Sequence, residues 1–142
     1  MKIVIDPGAY LPERAHDLDA GYDLRSPIRA YVPPYSSAII DTGVHIEIPE
    51  GYVGMLKSKS GLNVKHDITS EGVIDSGYTG SICVKLYNHG QSAYEVNKGD
   101  KISQLVIMPI ITPALEIVDH LDSTERGMAA LAQLAADRST GK

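Results

Sequence analysis

Four polar patches in this chain hold side chains that could do chemistry, and each also has a plain structural reading. In AGYDLRS (20–26), Asp23 stands among apolar or bulky neighbours, either as a satisfied strand-end carboxylate or as an acid facing a site. The run KSKSGLN (57–63) sets Lys57, Ser58, Lys59 and Ser60 just ahead of Gly61, with Lys65 and His66 close behind. Ammonium groups, hydroxyls and free backbone N–H groups at a helix start favour phosphate oxygens. A solvated polar turn would have the same composition. In SEGVIDSGYTGS (70–81), Gly72, Gly77 and Gly80 bracket Val73-Ile74-Asp75, with Tyr78 three residues on. Such glycines suit a tight hairpin whose exposed main chain can read a flat heterocycle while the acid at its end reaches a sugar or a water. A plain hairpin would use the same glycines. Finally, KGDKISQLVI (98–107) places Gln104 in a β-branched, leucine-rich run. A buried amide must be hydrogen-bonded, so Gln104 either ties down a sheet or faces a polar site.

The elements that must position these residues are short. KIVID, VHIEI (44–48), YVGMLK (52–57), SICVKLY (81–87) and KISQLVIM (101–108) are apolar stretches of strand length. Between them PPYS, PEG, NHGQS and NKGD carry the Pro, Gly, Asn and Asp that set turn dihedrals. Many short strands without a long helical period predict an all-β sandwich, jelly roll or barrel. Cys83, inside the alternating SICVKLY run, is expected in the core. One segment departs from the pattern. In MAALAQLAADR, strong helix formers replace turn residues and Met128, Leu131 and Leu134 recur every third position, which predicts a short helix over about 128–136.

A net charge of −5 lacks the basic field that binds a nucleic acid polymer, although a small anion needs only a local cluster of donors. No run approaches the roughly 20 apolar residues that span a bilayer, and MKIVIDPGAY lacks the pattern of a signal peptide. A cytoplasmic protein with no membrane partner is the expectation. With one cysteine there is no internal disulfide.

In this order and spacing the four patches resemble the first four motifs of the homotrimeric dUTPases. The first motif reads alanine-glycine-x-aspartate-leucine, matched by Ala20 to Leu24, and the second has a serine-glycine-leucine core, here Ser60 to Leu62. The third reads glycine-(valine or leucine)-isoleucine-aspartate-x-x-tyrosine-x-glycine, matched by Gly72 to Gly80. The fourth reads glycine-x-basic-isoleucine-x-glutamine, here Gly99 to Gln104. The resemblance runs from about residue 15 to 127. It implies a distorted β-barrel or jelly roll, a homotrimer with active sites at subunit boundaries, and hydrolysis of dUTP to dUMP and pyrophosphate by water attack at the α-phosphorus. By the same resemblance, Asp75 binds the sugar 3′-hydroxyl and orients the water, and Tyr78 packs on the deoxyribose and excludes a ribose 2′-hydroxyl. The hairpin of Thr69, Gly72, Val73 and Ile74 would read uracil. Gln104, Lys59, Ser60 and Gly61 would hold phosphates and water, with Arg126 also on the substrate. Mg²⁺ would be carried mainly by the triphosphate, reached by Asp23 through water, which suits a chain without a His or Cys ligand cluster.

Two departures stand out against that pattern. Lys59 replaces the usual second-motif arginine, a point charge in place of a bidentate fork. The family's fifth motif, a glycine-rich arm with a phenylalanine that stacks on uracil, keeps here only Arg126-Gly127 before Met128, Ala129, Ala130, Leu131 and Ala132. The chain has no phenylalanine, and QLAADR intervenes before Ser139-Thr140-Gly141. Three alanines for glycines favour helix by about 3 kcal/mol together. The expected organisation is a β domain over 1–127 and an altered arm over 128–142 that is not an independent domain. Two other functions remain in view: a dUTPase-like nucleotide-binding or assembly protein with weak or no turnover, and dCTP deaminase. The deaminase's glutamate, ten residues after the matching aspartate, falls on Lys85, whose ammonium cannot do a carboxylate's work.

Overall fold

The computed structural model describes residues 1–140, and among these it holds ten strands and two helices. In chain order they are β1 (Ile3–Ile5), β2 (Gly21–Arg25), β3 (Ala30–Val32), β4 (Ser37–Asp41), β5 (Val44–Ile46) and β6 (Tyr52–Lys57). There follow α1 (Ser60–His66), β7 (Ile68–Ile74), β8 (Cys83–Asn88), β9 (Tyr94–Val96), β10 (Lys101–Pro109) and α2 (Glu125–Thr140). The main sheet has the order β2-β10-β6-β7-β8-β4, with every pair antiparallel, and β1-β5 and β3-β9 form two small sheets. Met1–Thr112 is one compact unit, and the chain from Pro113 onward is a second.

Period-two alternation explains what the strands bury. Along β8, Val84, Leu86 and Asn88 point inward while Cys83, Lys85 and Tyr87 face outward. Cys83 is therefore exposed, against the expectation of a core residue. Its apolar neighbours Ile82 and Val84 take the inner face, and Lys85, of the same parity as Cys83, marks the outer one. The core is aliphatic, built on Leu24, Leu56, Ile68, Leu86, Ile102 and Leu105 among others. β10, nine residues long, lies between β2 and β6, so the register of both neighbours is set against it. A bulge between Lys101 and Ser103 re-aims the start of β10. Before β6, Pro49 to Tyr52 turns with Gly51 at φ +85°, and the Tyr52 N–H donates to the Pro49 carbonyl at 3.1 Å. That conformation is the type II turn, which asks for glycine at its third position.

Both helices differ from the sequence expectation. The patch 57–63, read as a phosphate-binding start or a polar turn, opens the helix α1, which ends at Asp67 in the left-handed conformation. α1 buries no residue, so it has no apolar periodicity to read. α2 contains the expected 128–136 but starts three residues earlier, because the Gly127 N–H donates to Thr124 Oγ1 at 3.0 Å as a cap. Leu131 and Leu134 are exposed; the side chain of Met128, and Gly141 of the expected Ser139-Thr140-Gly141 arm end, lie outside the described residues. No helix among the described residues is long and apolar enough to cross a membrane.

Candidate active site

One polar cluster forms where β2, β10 and β6 run side by side. Asp23 lies opposite Gln104, and Gln104 lies opposite Lys57, so three distant stretches of sequence meet on one line across the sheet. Asp23 is 5% exposed and accepts from Lys59 Nζ at 2.5 Å through Oδ1 and from Lys101 Nζ at 3.1 Å through Oδ2. Burial alone would push its carboxyl up, but the bonds and charges of Lys59 and Lys101 outweigh that and hold it below its ordinary value. Gln104 Nε2 donates to the Ser58 carbonyl at 2.9 Å. Its side chain occupies the space over Gly21, where a Cβ would stand 2.2 Å from Gln104 Oε1. Ser60 and Gly61, in the first turn of α1, follow Lys59 directly.

Beneath this cluster runs a hydroxyl network that sequence reasoning did not find. Ser103 Oγ donates to the Lys57 carbonyl at 3.0 Å and so accepts from Ser70 Oγ at 2.8 Å. Ser58 Oγ accepts from the Ser70 N–H at 3.0 Å and donates to the Ser70 carbonyl at 3.2 Å. These bonds lock the end of β6 and Ser58, which lead into Lys59, to β7 and β10. No local pattern announces them, because they depend on strand register. Lys101 had a signal, as the basic position of the fourth motif, but its bond to Asp23 depends on the β2–β10 pairing.

A second group lies at the far end of β7. Asp75 and Tyr78 share a cavity of about 190 Å³ with Val73, Ile74 and Cys83. The turn between them closes through the Tyr78 N–H, which donates to the Asp75 carbonyl at 3.0 Å. The Tyr78 hydroxyl donates to the Ser81 carbonyl at 2.6 Å, and its ring lies over Gly80, where a Cβ would be 2.8 Å away. Tyr78 thus owes its position to a glycine two residues on. Partial desolvation and the nearby Asp41 push the Cys83 thiol up, away from the thiolate a nucleophile needs.

Thr69, at the opposite end of β7, bonds His89 Nε2 through Oγ1 at 2.8 Å and lines a separate cavity of about 410 Å³ with Lys57, Ser58, Ser70, Glu71, Tyr87 and His89. Gly72 lies against Leu56, where a Cβ would come within 3.1 Å. Arg126 is exposed in the first turn of α2, within the second unit.

The chain thus gathers Asp23, Lys59, Lys101 and Gln104, and separately Asp75 and Tyr78, but does not join the two groups. The line through Asp23, Gln104 and Lys57 continues to Glu71 on β7. Asp75 is four residues beyond Glu71, roughly 13 Å along an extended strand. Among the described residues there is no group of three His, Cys, Asp or Glu side chains that could cage a metal ion.

The model of the dUTPase family matches residues 8–133. The chain belongs to the dUTPase family. It is 40% identical over 126 residues to the deoxyuridine 5′-triphosphate nucleotidohydrolase of Gloeothece citriformis, covering 87% of each chain. With the Solanum lycopersicum protein of the same name it shares 43% identity over 124 residues, 87% of this chain and 73% of that one. Among solved structures, the dUTPase of Staphylococcus bacteriophage 80alpha with dUPNHPP superposes at a TM-score of 0.83, with 34% identity, over 88% of this chain and 92% of that one. A mutant dUTPase from phage phi11 of S. aureus, described as coordinating a structural Mg(II) ion, gives a TM-score of 0.79 at 35% identity over 84% of this chain and 96% of that one. The all-β, dUTPase-like fold expected from the motifs is the one observed. Relatives named as nucleotidohydrolases favour hydrolysis over deamination.

Proposed function

We propose that this dUTPase-family chain hydrolyses dUTP to dUMP and pyrophosphate, with Asp75 as general base and the polar cluster around Lys59 and Gln104 holding the triphosphate. The observation that carries this reading is the shared cavity of Asp75 and Tyr78 at the end of β7. There a carboxylate and a tyrosine ring line one recess, an arrangement suited to a deoxynucleotide. The deoxyribose packs on the Tyr78 ring, which leaves no room for a 2′-hydroxyl. The main chain at Val73 and Ile74, beside Asp75 and Tyr78, reads uracil, whereas Thr69, in its separate cavity, is too far along the strand to touch the same base.

In the reaction a water oxygen bonds the α-phosphorus in line with the departing bridging oxygen, whose bond to that phosphorus breaks. The proton of the water passes to Asp75. A positioned base of this kind contributes about 10²–10⁴-fold. Lys59 turns from Asp23 to the phosphate oxygens as they gain charge, with the N–H groups of Ser60 and Gly61 beside it. As an ammonium it neutralises charge without a fork's bidentate fit, so Gln104 carries more of the orientation. Arg126 adds a further cation on the substrate.

With a single buried carboxylate already paired to two ammonium groups, the polar cluster suits a metal carried by the substrate better than one caged by protein. Magnesium on the triphosphate would supply charge neutralisation and a fixed phosphate conformation, and Asp23 would be the residue to hold it, through water. The two groups lie roughly 13 Å apart along the sheet, which supports a site completed by a second copy within a homotrimer. Exposed Leu115, Ile117 and Leu121 in the C-terminal unit support an arm that packs on another copy.

Pyrophosphate release from dUTP tests the reading. Asp75→Asn should fold as the parent does and lower turnover by at least about 100-fold. Release at near the parent rate would remove Asp75 as the base, and ammonia from dCTP would replace hydrolysis by deamination.

A further inference from the structure

We propose that His45 is a positioning residue for the turn that carries Tyr78, its doubly protonated ring clamping the Thr79 carbonyl to the Asp6 carboxylate. This rests on the reading of Tyr78 as the residue that excludes a 2′-hydroxyl. His45 sits in the middle of β5, opposite Val4 of β1, and is 27% exposed. Its Nδ1 lies 2.9 Å from the Thr79 carbonyl oxygen and its Nε2 3.1 Å from both Asp6 oxygens. A carbonyl and a carboxylate only accept hydrogen bonds. Both ring nitrogens must therefore carry a proton for both bonds to form, and that species is the imidazolium.

Each end of the clamp matters. Thr79 lies between Tyr78 and Gly80, the glycine over which the Tyr78 ring packs. The far side of this loop is already tied to β5 by the Ile82 N–H, which donates to the Val44 carbonyl at 2.9 Å. His45 adds the anchor at the loop's middle. At the other end Asp6 is fixed by its own N–H, which donates to the Gly43 carbonyl at 2.9 Å. The charged groups facing the ring are Asp6 after β1 and Asp41 at the end of β4, with Lys2 and Glu47 in the same cavity of about 300 Å³.

The Thr79 carbonyl first and the Asp6 carboxylate next raise the imidazole above its ordinary 6.5, against a smaller effect of desolvation. A raised value means that the clamp is complete below pH 6.5 and is lost as pH rises through the folded-state value. The neutral ring keeps one N–H. If that proton stays toward Asp6, a nitrogen lone pair faces the Thr79 oxygen and the turn is released.

The test compares kcat/KM for dUTP and UTP from about pH 5.5 to 9, a ratio in which ionisation of the triphosphate cancels. In the native protein the preference for dUTP should fall roughly 10-fold as His45 loses its proton, as for one lost charged hydrogen bond. The fall should lie mostly in KM. His45→Asn, whose amide nitrogen stands where Nδ1 does and so keeps a donor toward Thr79 but does not titrate, should remove the step. NMR of the unmodified protein gives a second readout, in which the Gly80 amide should titrate with the midpoint of the His45 ring. Asp6→Asn should lower that midpoint. A flat native ratio, a step that survives in His45→Asn, or a Gly80 amide blind to His45 would each overturn the proposal. Tyr78→Ala separates the two levels: if it leaves the ratio unchanged, the reading of Tyr78 fails and the clamp's role with it. If Tyr78→Ala lowers the ratio while His45 variants do not, only the clamp fails.

Discussion

Gln104 owes its position to an absence. The space its side chain fills over β2 exists because residue 21 has no Cβ. Gly21→Ala should push Gln104 away from the Ser58 carbonyl, at a stability cost of about 1–3 kcal/mol from overpacking. dUTP turnover should fall at least about 10-fold through the loss of one aimed donor. Steady-state kinetics with a thermal melt checks both, and parent-like turnover would mean that Gln104 does not orient the phosphates. Asp23, Lys59, Asp75, Tyr78 and Gln104 could be singled out as candidates from the local patterns that hold them. Their partners were not. That Asp23 bonds both Lys59 and Lys101, or that Ser58, Ser70 and Ser103 share one network, depends on register between strands far apart in sequence. For Cys83 the alternation of its strand is visible in the sequence, and the phase that turns it outward is marked by Lys85 on the same face.

At the scale of elements, strands were readable because their apolar residues alternate, and α1 was not because none of its side chains is buried. α2 was readable from its composition, and its true start lay with Thr124, whose hydroxyl caps the helix ahead of the alanine-rich run. A helix rises 1.5 Å per residue, so it holds Ser139 and Thr140 in a register that a glycine-rich arm would not share. Such a helix offers no positive φ angles to wrap a phosphate and no ring to stack on a base. Deleting 128–142 while keeping Arg126 should therefore change dUTP turnover less than about 10-fold, or under 1.4 kcal/mol. Loss of activity on truncation would mean that the tail still closes the site.

At the scale of the whole molecule, the sheet separates the two groups proposed to act together on dUTP. Asp75 and Tyr78 stand at one end of β7, while Lys59, Gln104, Asp23 and Lys101 gather near the level of its other end. The four motifs follow one another in sequence as if they formed one site, and only strand register exposes the gap. The proposed site accordingly needs a second copy of the chain to face the first, in a proposed trimer of three times 15.3 kDa. Subunit mixing tests this most directly. Asp75→Asn lacks the base and Gln104→Ala lacks the phosphate donor, so each should be nearly inactive alone. If equal amounts are unfolded, mixed and refolded together, random trimers should place an intact half from each parent at about one site in four. A site shared between copies predicts recovery of about a quarter of native pyrophosphate release, and a mixture no more active than its two parents would contradict it.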